Sequence, residues 1–313
     1  MNSYVKLYED FNAGASLQKV YLCLKKSSGQ RWWNYKGFAG NKFFVQINED
    51  NIDKLYINPN YPVLNYQSEI VNQLLESGKI KNKNIYNHPK IIKNSGSKEK
   101  FHKIVGTDEN IPKTVFSFNE AKNNLKFPII AKPSEGHSGI GIQIIQSKDE
   151  FNKIDKSKFD TFSEFIDKKE EHRFFIFKGN VFFWMERKPE NEKAKSGSGR
   201  SDEQMEFSYQ KRKIENLPDN INKVLKRFSK KFSDFPFICF DVMIDKSDKP
   251  YIIESNSQPG VPFDSTVELY KLIYQDHFRK KLDRESELEL EDYAKTMIEK
   301  TLNKDNGRFS IEE

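Results

Sequence analysis

The stretch from Phe237 to Gly260 limits the choice of fold more than any other part of this chain. It opens with an apolar run, Phe237-Ile-Cys-Phe-Asp-Val-Met-Ile244, and crosses a polar turn, Asp245-Lys-Ser-Asp-Lys249. It then continues as Tyr251-Ile-Ile-Glu-Ser-Asn-Ser-Gln-Pro-Gly260. Two short apolar runs about a polar turn predict a β-hairpin. Side chains alternate along a strand, so Glu254 and Asn256 share a face, and Asp241 on the partner strand is placed to join them. Two carboxylates and an amide then converge on a sheet that should be buried. Like charges so close are costly unless a cation neutralises them, and an all-oxygen donor set suits Mg²⁺ better than zinc or copper. The hairpin reads as a site for a metal and a nucleotide.

A chain of 313 residues can bury a sizeable core and is long enough for two or three closely packed subdomains. Its 52 basic and 46 acidic residues leave a net charge of +6, scattered as single lysines among asparagines and acids. That pattern fits a solvated surface plus a basic pocket for phosphates, and it argues against a nucleic-acid partner. No apolar run approaches membrane-spanning length and the first residues lack a signal-peptide core, so a cytoplasmic protein with no membrane partner is expected. Cys23 and Cys239 lie in apolar, strand-like runs and are expected as buried free thiols. The five histidines show no metal-ligand spacing.

Residues 1–90 carry strand signals at Lys19–Leu24 and Lys42–Ile47, then a helix near Gln67–Ser77 whose Ile70, Val71, Leu74 and Leu75 form one apolar face. A small α/β domain is expected there. A helix with Phe101, Ile104 and Val105 follows, then a strand at Phe127–Lys132 and another at Gly141–Gln146, and Ser147-Lys-Asp-Glu150 reads as a capping box. Arg173–Phe177 and Val181–Glu186, joined through Lys178-Gly-Asn180, predict a second hairpin. The polar segment Pro189–Glu206 is too long for a simple connection and reads either as a flap over a site or as a disordered insert. Ile221, Val224, Leu225, Phe228 and Phe232 mark an amphipathic helix, and two helices close the chain, the first opened by Ser265-Thr-Val-Glu268.

One further segment carries chemistry. In Ala131-Lys-Pro-Ser-Glu-Gly-His-Ser-Gly-Ile-Gly141, glycines 136, 139 and 141 let backbone N–H groups approach phosphate oxygens, and Lys132 on the preceding strand supplies a point charge. The segment matches neither the P-loop nor the dinucleotide fingerprint, and it leads into a strand instead of a helix. A plain β-turn with a surface lysine is the competing reading.

The order of these features along the chain resembles the ATP-grasp superfamily, and within it the D-alanine–D-alanine ligases and ribosomal-protein glutamate ligases. The features are Lys98 before a helix, Lys132 with its Gly-rich loop, Glu164-Phe-Ile166, Glu171 with Arg173, and then Asp241, Glu254 and Asn256. The likeness spans roughly residues 91–260, and its most specific part is Glu254-Ser-Asn-Ser-Gln-Pro-Gly260 with the aspartate thirteen positions upstream. The resemblance implies an α+β ATP-grasp fold in which two α+β subdomains, residues 91–163 and 164–313, grip ATP after a small N-terminal α/β domain at 1–90. It implies that Lys98 and Lys132 contact phosphates and adenine, that Ser134, Glu135, Gly136, Ser138, Gly139 and Gly141 cover the β- and γ-phosphates, and that Glu164, Phe165 and Ile166 form the adenine hinge. Glu171 would then bind the ribose, and Asp241, Glu254 and Asn256 would hold two Mg²⁺ ions, with Mn²⁺ as an alternative. Lys100 competes with Lys98 for its role.

The activity so implied is a carboxylate–amine ligation in which an amino acid or peptide carboxylate takes the γ-phosphate and an amine displaces it, leaving ADP and phosphate. A kinase on the same scaffold and a non-catalytic ATP-binding module are the alternatives, and a homodimer is allowed. Arg173 would stabilise the transferring charge or, in the structural reading, pair with Glu170 or Glu186. In the flap, Arg200 is the candidate for the acylphosphate or a substrate carboxylate. The chain departs from the D-alanine–D-alanine ligases at Cys239, two positions before the first metal aspartate, where those enzymes carry an arginine that grips the acceptor carboxylate. A thiol cannot replace a guanidinium fork.

Overall fold

The structure is a computed structural model that describes residues 18–24, 43–95, 97–133, 141–189, 207–259, 263–302 and 309–311. The first described elements are strands β1 (Val20–Cys23), β2 (Phe44–Ile47) and β3 (Val63–Asn65), helix α1 (Ser68–Glu76), strand β4 (Ile85–Tyr86) and helices α2 (Pro89–Ser95) and α3 (Lys98–Val105). Next come β5 (Thr114–Val115), α4 (Phe118–Asn124), β6 (Ile129–Lys132), β7 (Gln143–Ile145), α5 (Lys148–Lys153) and β8 (Thr161–Glu164). The remainder comprises β9 (Lys168–Phe177), β10 (Asn180–Pro189), β11 (Phe207–Arg212), α6 (Asp219–Lys231), β12 (Phe237–Asp245), β13 (Pro250–Asn256), α7 (Phe263–Phe278), α8 (Arg284–Leu302) and β14 (Phe309–Ile311). These elements form two compact units, residues 1–92 with 260–299 and residues 93–259 with 300–313.

The first unit is built on a parallel sheet in the order β2-β1-β3-β4. β1 is buried along its whole length, as expected of a parallel strand covered by other elements. The predicted apolar face of α1 is realised, with Ile70, Val71 and Leu74 buried beside Tyr21, Ile47 and Val63. α7 joins this unit through Tyr270, whose fully buried ring meets Phe43 and Phe44 edge-on and whose hydroxyl donates to the Gln18 carbonyl at 2.9 Å. α7 begins at Phe263, so Ser265 sits buried inside its first turn and is not the cap predicted for it. Lys271 ties α7 to α8 by donating to Glu291 at 2.8 Å and pairing with Glu287 at 3.0 Å.

The second unit holds two antiparallel layers. The smaller sheet runs β5-β8-β6-β7, and α4 and α5 pack on it. Both helices start at a serine whose hydroxyl accepts from the backbone three residues on, Ser117 from Glu120 and Ser147 from Glu150, each at 3.2 Å. The expected box at Ser147 is modified, since the Glu150 carboxylate accepts from the Gln146 amide at 2.7 Å. At the centre, the fully buried Phe151 stacks on Phe118 at 4.1 Å and meets Phe162 edge-on at 5.5 Å.

The larger sheet runs β13-β12-β9-β10-β11-β14, antiparallel except for the last pair. Lys178 and Gly179 turn between β9 and β10 with positive φ values of 46° and 82°, which matches the strand twist in a two-residue hairpin loop. One face of the sheet is apolar. Phe174 stacks on Trp184 at 5.3 Å, and Phe240 meets Phe232 at 5.4 Å just past α6, whose Ile221, Val224, Leu225 and Phe228 are buried. Because side chains alternate, the apolar Phe174, Phe240 and Val242 on one face leave Arg173, Asp241 and Met243 on the other. Among the described residues no helix is long and apolar enough to cross a membrane. Phe151→Ala should cost about 3–5 kcal/mol of unfolding free energy, as deletion of a buried aromatic does; urea denaturation checks this, and a loss below about 1 kcal/mol would show that the small sheet does not depend on this ring.

Candidate active site

The three residues first singled out come together. Asp241 of β12 lies directly opposite Glu254 of β13, and Cys239 lies opposite Asn256, so all four share the face turned away from α6. A β-bulge makes this possible, because β12 continues at Val242 while β13 skips from Glu254 to Ile252. The extra residue, Ile253, lets the fully buried Ile252 face the core while Glu254 faces the site. Alternation alone predicts the shared face; the bulge was not legible in the sequence. Asn256 Oδ1 also accepts from the Gln258 amide at 2.9 Å, which fixes the start of the Ser-Gln-Pro-Gly loop.

On its other side Asp241 faces Arg173 of β9, its direct register partner. Arg173 Nε donates to Oδ1 at 2.6 Å and Nη2 to Oδ2 at 2.7 Å. The arginine's carboxylate is therefore Asp241 and not Glu170 or Glu186, which instead meet His172 at 2.9 Å and Arg212. Arg173 holds the Asp241 carboxyl below its ordinary range against the opposing effect of burial. Glu254 responds in the opposite sense. Burial around its carboxyl group and then the neighbouring Asp241 charge push it up to about 7; the residue itself is exposed, so the Asp241 charge is the firmer of the two causes.

Lys132, at the end of β6, faces the same charges from the smaller sheet. Burial lowers its ammonium pKa, with the Glu254 charge opposing and the Lys98 charge adding to the shift. Lys98 donates to the Pro133 carbonyl at 3.3 Å, whereas Lys100 turns away and donates to the Lys93 carbonyl at 2.6 Å. Of the two lysines, Lys98 is the one that reaches the start of the Gly-rich loop. Gly141 has φ of 75°, and a Cβ there would lie 3.3 Å from the Pro133 ring, so this end of the loop needs glycine on both counts. Ser134, Glu135, Gly136, Ser138 and Gly139, and Arg200 in the expected flap, lie outside the described residues.

The segment Glu164-Phe-Ile166 leaves the end of β8 and leads into β9, so it spans the small and large sheets. Its Glu164 amide donates to the Lys113 carbonyl at 2.9 Å and Phe165 donates to Pro128 at 3.3 Å. Glu171 is more deeply engaged than a free ribose acceptor, because Lys168 binds one oxygen at 2.5 Å and Arg187 the other at 2.7 Å. Sequence reasoning missed Lys168, Arg187 and His102. Arg187 follows only from the hairpin register, which pairs Glu186 with His172 and so brings the next residue to Glu171. His102 on α3 is held neutral, pushed down to about 4 by burial and by Lys132.

The donor set suits a hard divalent cation. Two carboxylates, one of them raised because its neighbour is charged, would both ionise beside a dication, and Asn256 adds a neutral oxygen. Among the described residues no group of three or more His, Cys, Asp and Glu side chains is arranged for a metal, so water and nucleotide oxygens would complete the shell.

Residues 99–274, more than half of the chain, match the model of the D-Ala–D-Ala ligase C-terminus family. The chain belongs to this family. Membership and fold mark it as an ATP-dependent ligase of the ATP-grasp superfamily, a class that uses ATP with a divalent metal. Among solved structures, the ligase-family chain is similar to the D-alanine–D-alanine ligase of Bacillus anthracis, at 18% identity over 83% of this chain and 96% of that one, with a TM-score of 0.58. A RiPP-associated ATP-grasp ligase of Chryseobacterium gregarium, solved with ADP and a leader and core peptide, aligns at 16% identity over 86% and 98% of the two chains, with a TM-score of 0.53. The VanG D-Ala:D-Ser ligase of Enterococcus faecalis aligns at 14% identity over 78% and 91%, with a TM-score of 0.51. At such identities these likenesses establish the fold alone. No curated protein sequence matches the ligase-family chain.

The pair Asp241 and Glu254 makes a pH signature. Glu254 has a folded pKa of about 7 against 4.5 in the unfolded chain, so the folded state binds the extra proton between those values. In the presence of a chelator, stability should fall as pH rises from 4.5 to 7, and Glu254→Gln should flatten that decline; thermal unfolding across the window checks it, and an unchanged slope would refute the close pairing of the two carboxylates.

Proposed function

We propose that the protein is an ATP- and Mg²⁺-dependent ligase that joins the carboxylate of an amino acid or peptide to an amine through an acylphosphate. The observation that supports this most is the set Lys132, Glu254, Asp241 and Arg173, in which two cationic side chains flank a pair of carboxylates. Phosphoryl transfer asks little more of a protein than positioning and charge neutralisation. A substrate carboxylate oxygen attacks the γ-phosphorus, the bond to the β-phosphate oxygen breaks, and ADP departs. The amine nitrogen then attacks the acyl carbon, phosphate leaves with the C–O electrons, and the nitrogen loses its proton to solvent.

In this reading Lys98, Lys132 and the loop from Ser134 to Gly141 hold the triphosphate, Glu164 to Ile166 take the adenine, and Glu171 takes the ribose beside Lys168 and Arg187. Mg²⁺ held by Asp241, Glu254 and Asn256 would neutralise the phosphate oxygens. Arg173, and Arg200 in the flap, would face the charge on the transferring group or the substrate.

The acceptor differs from a free D-amino acid gripped in the manner of the D-alanine–D-alanine ligases. Cys239 stands at that grip, 1% exposed, with its thiol held in the neutral form by burial. An uncharged thiol offers a carboxylate nothing, which favours an amine on a larger molecule such as a peptide. The RiPP-associated ligase crystallised with leader and core peptides shares this fold, which supports including peptides among the candidate substrates.

A pairwise screen of amino acids, peptides and amines for ADP release tests the reaction. ADP should form only when carboxylate and amine are both present; a stable phosphorylated product without an amine would make the protein a kinase. Glu254→Ala should reduce ADP formation to background without loss of fold, and wild-type turnover would overturn the metal assignment. Lys132→Ala should weaken ATP binding by about tenfold or more, the loss of one charged hydrogen bond; unchanged affinity in calorimetry would move the phosphate site elsewhere.

A further inference from the structure

We infer that Arg173 is a rival of the divalent cation for Asp241, so that the cation and the nucleotide bind as a coupled pair and each binds poorly alone. The inference rests on the reading of Asp241 and Glu254 as metal ligands. Both Asp241 oxygens are taken by one guanidinium, at 2.6 and 2.7 Å, and the two residues are direct register neighbours on adjacent strands. The backbone therefore imposes the pair; it is no chance meeting of long side chains. Their side chains are only 24% and 17% exposed, so water screens them weakly.

A cation bridging Asp241 and Glu254 needs at least one of those oxygens, and its charge would stand within a few ångströms of the guanidinium. Arg173 has no ready substitute. The next carboxylate along its own strand and face, Glu171, is already held by Lys168 and Arg187. A cation binding alone would strand a partly buried arginine. A triphosphate binding alone would meet two unneutralised acids. When both arrive, the phosphate oxygens accept the planar fork of Arg173 while the cation takes Asp241, and every charge keeps a partner. Such coupling is reciprocal, so nucleotide must tighten the cation by the same factor that the cation tightens nucleotide.

Mn²⁺ binding followed by electron paramagnetic resonance tests this directly, without turnover. Nucleotide-free wild type should bind Mn²⁺ weakly, Arg173→Met at least about tenfold more tightly, and Arg173→Lys, which keeps one charge but not the fork, in between. Adding Asp241→Asn to Arg173→Met should remove the gain. In chelator the melting temperature of Arg173→Met should drop and Mn²⁺ should restore it, a recovery that loss of a merely structural ion pair would not show. Should Arg173→Met fail to fold, Arg173→Lys carries the test. A folded Arg173 variant that binds Mn²⁺ no better than wild type overturns the inference. The underlying metal reading fails separately, if wild type saturated with adenylyl imidodiphosphate takes up no Mn²⁺ or if Glu254→Gln takes it up as well as wild type.

Discussion

Three adjacent strands carry, at one level, an arginine, an aspartate and a glutamate. Arg173, Asp241 and Glu254 form this rung, and the chemistry of the site follows from the competition inside it. Asp241 sits between a cation that stabilises its charge and a carboxyl that resists it. Its own proton is lost readily while that of Glu254 is retained up to about 7. A rung of this kind is stable only if the strands around it hold register, because a one-residue slip would carry every charge to the opposite face. The apolar side of the same sheet supplies that hold, with Phe174, Phe240, Val242 and Ile252 buried against the elements around α6.

The smaller sheet contributes the opposite sign. Lys132 reaches the end of β6 close enough to Glu254 for their charges to interact, and Lys98 sits at the first turn of α3 beside it. α3 is anchored on the larger layer, since Phe101 stacks on Phe232 and Lys231 donates to the Val105 carbonyl. The loop before β5 is pinned in the same way: Asn110 donates to the Pro250 carbonyl at 2.7 Å, and its own carbonyl accepts from Ile252 at 2.8 Å. The lysines and the carboxylates are thus referenced to one another through hydrogen bonds to backbone carbonyls beside the β12–β13 hairpin.

Much of this was legible from the residues because the relevant signals are local. Alternation put Glu254 and Asn256 on one face, the segment Lys178-Gly-Asn180 announced its hairpin, and Ile70, Val71 and Leu74 declared the buried side of their helix. What escaped was pairing between distant strands. Nothing near Arg173 in the chain tells it to prefer Asp241, 68 residues away, over Glu170 three positions back, because that choice is made by the register of β9 against β12. Arg187 and its partner Glu171 escaped for a nearer reason, since they lie on the same hairpin beyond the strand ends expected for it. Ser265 shows a different failure, in which a good capping sequence was overridden by a helix that begins two residues earlier.

The bulge at Ile253 ties function to spacing as well as to residue identity. Regular pairing of the same residues from the Asp245 turn onward, with no bulge, would keep every side chain named above, yet β13 would change phase. Its glutamate would then point among phenylalanines, and an isoleucine would stand where the acid belongs. The count of residues in this short strand is itself part of the binding chemistry.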